Sequence, residues 1–240
     1  MSADPRSHPG ARSQPWAPTG ALAAPVRRHD EACQRAQLKF FHGPMDCGKS
    51  TLALQMDHNH ARQGRRGLLL TRLDRSGEAR ISSRIGLDRR AIEVTDALDV
   101  REMVAQRWRR GERIDYVIGD EAQFYTPRQI EQLAMLVDEA DIDVYAFGLS
   151  TDFRGELFPA AKRLLELADE VNRLQVEVLC WCGRPGRLNA RVVGDRVVRE
   201  GEQVLTGDTA GVAVRYQVLC RAHHRTGDLG PGQAAGQLPL

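Results

Sequence analysis

From residue 37 to about residue 170, short apolar runs alternate with stretches whose apolar positions recur every three or four residues. Leu38–His42 (LKFFH) reads as a strand that ends in a glycine-rich loop, and Lys49–Arg62 as a helix offering Leu52, Leu54 and Met56 to a core. Gly67–Thr71 (GLLLT) reads as a second buried strand, and Ala97–Trp108 has helical spacing at Leu98, Met103 and Val104. Ile114–Gly119 (IDYVIG) is a strand running into Asp120 and Glu121. Pro127 suits the first turn of a helix carrying Ile130, Leu133, Ala134 and Val137. Ile142–Leu149 (IDVYAFGL) is a further strand, and Pro159 opens a helix through Leu167. Apolar strands alternating with helices predict an α/β fold, a parallel sheet flanked by helices.

The pattern changes at about Val171, where short β-like runs, glycines and a Cys/His cluster replace the alternation. The expected organisation is a disordered Pro/Arg-rich tail over residues 1–36, an α/β domain over 37–170, a small β subdomain over 171–226 and a flexible tail over 227–240.

Length and charge narrow the function. A chain of 240 residues is long enough for one or two domains with a buried core. It has no apolar run near the ~18 residues that a membrane span needs, so no membrane partner is expected. Residues 37–240 carry 29 basic and 29 acidic side chains, a balance that weighs against a polyanion as main partner. Only three of the 34 basic residues are lysine: Lys39, Lys49 and Lys162. Five cysteines, three of them late in the chain near histidines, read as site chemistry in a reducing compartment. The proline-rich start lacks a secretory apolar core, so a cytoplasmic location is expected. The arginine clusters at 62–66 and 107–110 fall at helix ends and read as solvated faces.

Gly43-Pro44-Met45-Asp46-Cys47-Gly48-Lys49-Ser50 fits G-x-x-x-x-G-K-[ST] between a buried strand and a helix. Backbone N–H groups at such a turn, with the positive end of the helix dipole, cradle phosphates. Lys49 then faces the β- and γ-phosphates, and Ser50 offers a hydroxyl to Mg²⁺. Opposite it, the strand ending in Asp120-Glu121 supplies a carboxylate for Mg²⁺ and a second that can take a proton. Together the two motifs imply binding of a nucleoside triphosphate such as ATP.

Cys180-Trp181-Cys182 and Cys220-Arg221-Ala222-His223 form a C-x-C … C-x-x-H set with 37 residues between the pairs. Three thiolates and one imidazole make a closed tetrahedral Zn²⁺ site, structural because no position stays open. His224 is adjacent, so the sequence leaves the choice of histidine open. The bland alternative is cysteines packed as small hydrophobes.

Five segments, in order, resemble the type II thymidine kinase family. They are Phe41–Met45 with Lys49-Ser50-Thr51; Ile81–Leu87; Asp120–Phe124; Phe147-Gly148-Leu149 with Asp152-Phe153-Arg154 and Phe158; and Tyr216 with Cys220 and His223. The resemblance covers about residues 37–225. It implies a P-loop RecA-like parallel sheet plus a small zinc-ribbon-like β subdomain with a substrate-binding loop. It implies transfer of the ATP γ-phosphate to the 5′-hydroxyl of thymidine or deoxyuridine, with Glu121 as general base. The nucleotide-binding set extends to Thr51 and Gln123. Phe124, Phe153 and Phe158 would line the base pocket, Tyr216 would contact sugar or base, and Met45 and Asp74 would lie near the deoxyribose. Asn189 matches a position near the thymine methyl. Arg84 would hold phosphate or an interface, and the assembly would be a homotetramer.

A different class shares the phosphate loop, the Asp-Glu pair and zinc: a P-loop ATPase whose zinc ribbon acts on nucleic acid. Such a protein needs a basic groove with stacking aromatics. The neutral balance and 5% aromatic content favour the small-molecule kinase, with no nucleic-acid partner.

Overall fold

The computed structural model describes residues 36–72, 79–83, 86–175, 177–203 and 214–231. Strands β1 (Leu38–His42), β2 (Gly67–Thr71), β5 (Ile92–Glu93), β6 (Tyr116–Gly119), β7 (Asp143–Gly148) and β8 (Glu170–Arg173) form one parallel sheet in the order β5-β2-β6-β7-β1-β8. Alternation along each central strand splits the core into two layers. Leu38, Phe40, Val117, Val144 and Ala146 face one side, where α2 (Val100–Arg109), α3 (Pro127–Ala140) and α4 (Pro159–Leu167) cover them. Tyr116, Ile118, Tyr145 and Phe147 face the other, against Ala53 and Leu54 of α1 (Lys49–Arg62).

Local chemistry fixes the element ends. α2 starts three residues later than the apolar spacing predicts, because Asp99 caps it by accepting from Glu102 N at 2.9 Å. Thr126 and Gln129 form a reciprocal capping box around Pro127 at the start of α3. A short antiparallel hairpin of β3 (Arg80–Ser82) and β4 (Asp88–Arg90) follows β2. Arg65 departs from the expected solvated face: it lies 5.4 Å over the Tyr116 ring and pairs with Asp143 at 2.5 Å.

The sheet takes in Glu170–Arg173, past the residue where the sequence pattern changes, and β8 pairs with β1 from Lys39 to His42. Beyond it lies a three-stranded antiparallel sheet, β10-β9-β11, of β9 (Leu188–Val193), β10 (Arg196–Val198) and β11 (Val214–Leu219), closed by α5 (Arg221–Thr226). After α5 the chain folds back over Trp181, whose indole N–H donates to Asp228 O at 3.1 Å. No described helix is long and apolar enough to cross a membrane. The tail up to residue 35, with Cys33, lies outside the described residues, as do residues 232–240.

Candidate active site

β1 brings the chain to Gly43 and α1 takes it away at Lys49. Between them the loop turns tightly, with Gly48 at φ 78°. A side chain on Gly43 would put its Cβ 2.5 Å from Cys47 Sγ, and that buried sulfur fills the inside of the turn. Asp46, at the exposed apex, also has a positive φ of 66°. α1 carries no side-chain cap, which leaves its leading N–H groups, near Ser50 and Thr51, to an anion. Lys49 is buried and donates to Pro44 O at 2.9 Å, so one N–H of the ammonium steadies the loop.

The acid pair meets this loop from the end of β6, two strands away across β7. Ser50 Oγ donates to Asp120 Oδ2 at 2.7 Å, and Glu121 N donates to Asp120 Oδ1 at 3.0 Å. Burial, and next the neighbouring Glu121 charge, push the Asp120 carboxyl up to about 6. Glu121 itself is held in the left-handed region at φ 51°, a strained conformation costing roughly 1–3 kcal/mol. Its carboxylate accepts from the Gln123 amide, whose Oε1 in turn accepts from Leu149 N at 2.9 Å. The strand between the two motifs thus orients the second carboxylate through one buried amide.

Cys180, Cys182, Cys220 and His223 bring their ligand atoms within 4.8 Å of one another. Tetrahedral zinc with bonds of about 2.3 Å needs donors about 3.7 Å apart, so the set fits that ion with a small contraction. Trp181 stacks on His223 with centroids 4.3 Å apart and 9° between planes. His224 turns the other way. It is buried, with Nε2 2.9 Å from Phe153 O, and it braces the large unit. Of the two histidines, His223 is the one that joins the cysteines.

The aromatic residues fall into two groups. Phe124 and Phe158 meet edge to face at 5.6 Å, and Phe158 also belongs to the main core, anchoring the start of α4. Phe153 is buried under the Arg191 guanidinium, and Tyr216, half-exposed on β11, lies beside that same arginine. Asn189 is buried, and its Oδ1 accepts from Met45 N at 2.8 Å, strapping β9 to the phosphate loop. A cleft of ≈ 180 Å³ lies there, lined by Gly43, Pro44, Ser150, Thr151 and Arg187–Asn189 among others. A larger cavity of ≈ 290 Å³ is lined by Leu54, Gln55 and His58 of α1 and by Leu87, Asp88 and Arg89 of the β3–β4 hairpin, and by none of these groups. Asp74 and Arg84 lie outside the described residues.

Arg191 and Gln203 are site-adjacent residues that the sequence reading missed. Arg191 sits in an apolar strand at the same side-chain phase as Asn189, the signal that marks it as inward-facing.

A phosphate cradle, a buried carboxylate beside a helix-start hydroxyl, and a second carboxylate aimed by an amide are the parts of a phosphoryl-transfer site. The comparisons agree. The thymidine kinase family model matches residues 36–224. A thymidine kinase of Cutibacterium acnes is 58% identical over 196 residues, covering 81% of this chain and 91% of that protein. One of Streptomyces coelicolor is 56% identical over 191 residues, 79% of this chain and 88% of its own. One of Ruegeria pomeroyi is 41% identical over 200 residues, 81% and 98%. The chain belongs to the thymidine kinase family.

Proposed function

We propose that the chain transfers the ATP γ-phosphoryl group to the 5′-hydroxyl of thymidine, or of deoxyuridine, for nucleotide salvage. The observation that carries the mechanism is the hydrogen-bonded line from Ser50 through Asp120 and Glu121 to Gln123. The Glu121 carboxylate takes the 5′-hydroxyl proton as that oxygen bonds to the γ-phosphorus and the bond to the β–γ bridging oxygen breaks, releasing ADP. Lys49 and the N–H groups of the loop and helix start from Asp46 to Thr51 would hold the phosphates. Ser50 and Asp120 would hold Mg²⁺, which offsets phosphate charge when bound.

Met45, Asp74, Phe124, Phe153, Phe158, Asn189 and Tyr216 would receive the nucleoside. Zinc at Cys180, Cys182, Cys220 and His223 would be structural, since all four positions are filled by protein. A cytoplasmic homotetramer acting without nucleic acid completes the reading; cysteines gathered as a zinc set suit a reducing location.

A substrate panel tests it. With Mg²⁺ and ATP, thymidine or deoxyuridine should be phosphorylated far faster than deoxycytidine or deoxyguanosine. Activity only with a purine nucleoside, or ATP hydrolysis only when DNA is added, would overturn the assignment.

A further inference from the structure

Arg191 is 2% exposed, and its partners among the described residues are all neutral. Nη1 and Nη2 donate to the consecutive carbonyls of Glu202 and Gln203 at 2.8 and 3.0 Å. Nε donates to Tyr216 Oη at 3.1 Å, and the guanidinium carbon lies 3.7 Å from the centre of the Phe153 ring. The Gln203 side chain closes the circuit by donating to Asp152 Oδ2 at 3.1 Å, one residue before Phe153. Burying a guanidinium is costly unless each donor is met, and only a planar fork can meet two adjacent carbonyls while lying flat on a ring.

The bond to Tyr216 has a directional consequence. Because the hydroxyl oxygen accepts from Nε, its own proton is left to be given elsewhere. Tyr216 is 39% exposed, so that proton is available to an acceptor outside the protein.

We propose that Arg191 is the positioning residue of the nucleoside side of the site: it holds the Phe153 ring in place and commits Tyr216 to donating a hydrogen bond to a carbonyl or sugar oxygen of a pyrimidine nucleoside. The proposal rests on the thymidine kinase reading above. Arg191 serves nucleoside affinity and leaves the ATP side alone, because its circuit includes no residue of the phosphate loop or of the Asp120-Glu121 pair.

The test uses the zinc-loaded full chain with Arg191→Gln and with Arg191→Lys, the latter keeping a cation in the strand. Losing hydrogen bonds to a charged donor should raise the thymidine KM roughly 10–100-fold in Arg191→Gln. The ATP KM should stay within about 2-fold, well below one tenfold step in binding. Arg191→Lys should fall between wild type and Arg191→Gln, and both variants should keep their zinc. An unchanged thymidine KM, or equal rises in both KM values, would overturn the proposal. Hydrogen exchange over residues 196–203 separates this idea from the kinase reading. If the wild-type chain fails to phosphorylate thymidine, the kinase reading fails by itself. Faster exchange in Arg191→Gln then upholds the circuit, and unchanged exchange overturns it.

Discussion

The two units are held together by different physics. The parallel-sheet unit buries Leu38, Phe40, Leu133, Leu136, Val144 and many neighbours in a continuous core, each large side chain contributing about 1.5–3 kcal/mol. Among its described residues the antiparallel unit has a small apolar cluster of Ala190, Leu219, Cys180 and Cys220, with Val192 buried as well. So small a core leaves its geometry to a Cys3His group, to Arg191 and to straps such as Asn189 on Met45. The groups proposed to handle phosphate thus stand on the larger core, while the proposed nucleoside side depends on a few polar ties. Each side should therefore fail separately.

The largest separation is expected from Glu121→Gln. Turnover should fall about 10²–10⁴-fold if this carboxylate is the base, with ATP binding by calorimetry and zinc content unchanged. A fall of less than tenfold would move the base elsewhere.

Cys220→Ser attacks the other unit. Elemental analysis should find the zinc lost, and thymidine binding should be lost with it, because metal binding is folding energy in so small a unit. ATP binding should persist, since the phosphate loop belongs to the other core. Joint loss of both ligands would show that the two units fold as one.

A smaller effect comes from pH. The Asp120 carboxyl lies at about 6 in the folded chain against an ordinary value of 3.8, so the folded state holds this proton more tightly. Its contribution to stability is full below 3.8 and is lost as pH rises through 6. On the proposed function activity should run the opposite way, because the ionised carboxylate is the form that would hold Mg²⁺. Between pH 7 and 5, kcat/KM for MgATP should fall while wild type gains Tm relative to Asp120→Asn. Parallel changes in the two quantities would sever the link.

Legibility from sequence follows the same division. The phosphate loop and the Asp120-Glu121 strand end are contiguous runs, so the chemistry is written locally, and the structure brings them within hydrogen-bonding distance. The zinc set was legible because its ligand types are rare, although only geometry separated His223 from His224. β8 is an edge strand with a half-polar face, so Glu170 and Asn172 obscured it. The hairpin of β3 and β4 escaped notice because Arg89 and Arg90 stand exposed on a three-residue strand. Arg191 was hidden in a chain rich in arginine. Its fork grips backbone carbonyls 11 and 12 residues away, and carbonyls leave no mark in a sequence.

One measurement bears most directly on the account. The purified protein is incubated with thymidine, Mg²⁺ and ATP labelled in the γ-phosphate, without nucleic acid, and the label is located in the products. Label is expected on the 5′ oxygen of thymidine monophosphate, with one ADP formed for each. Label recovered as inorganic phosphate, with thymidine untouched, would contradict it.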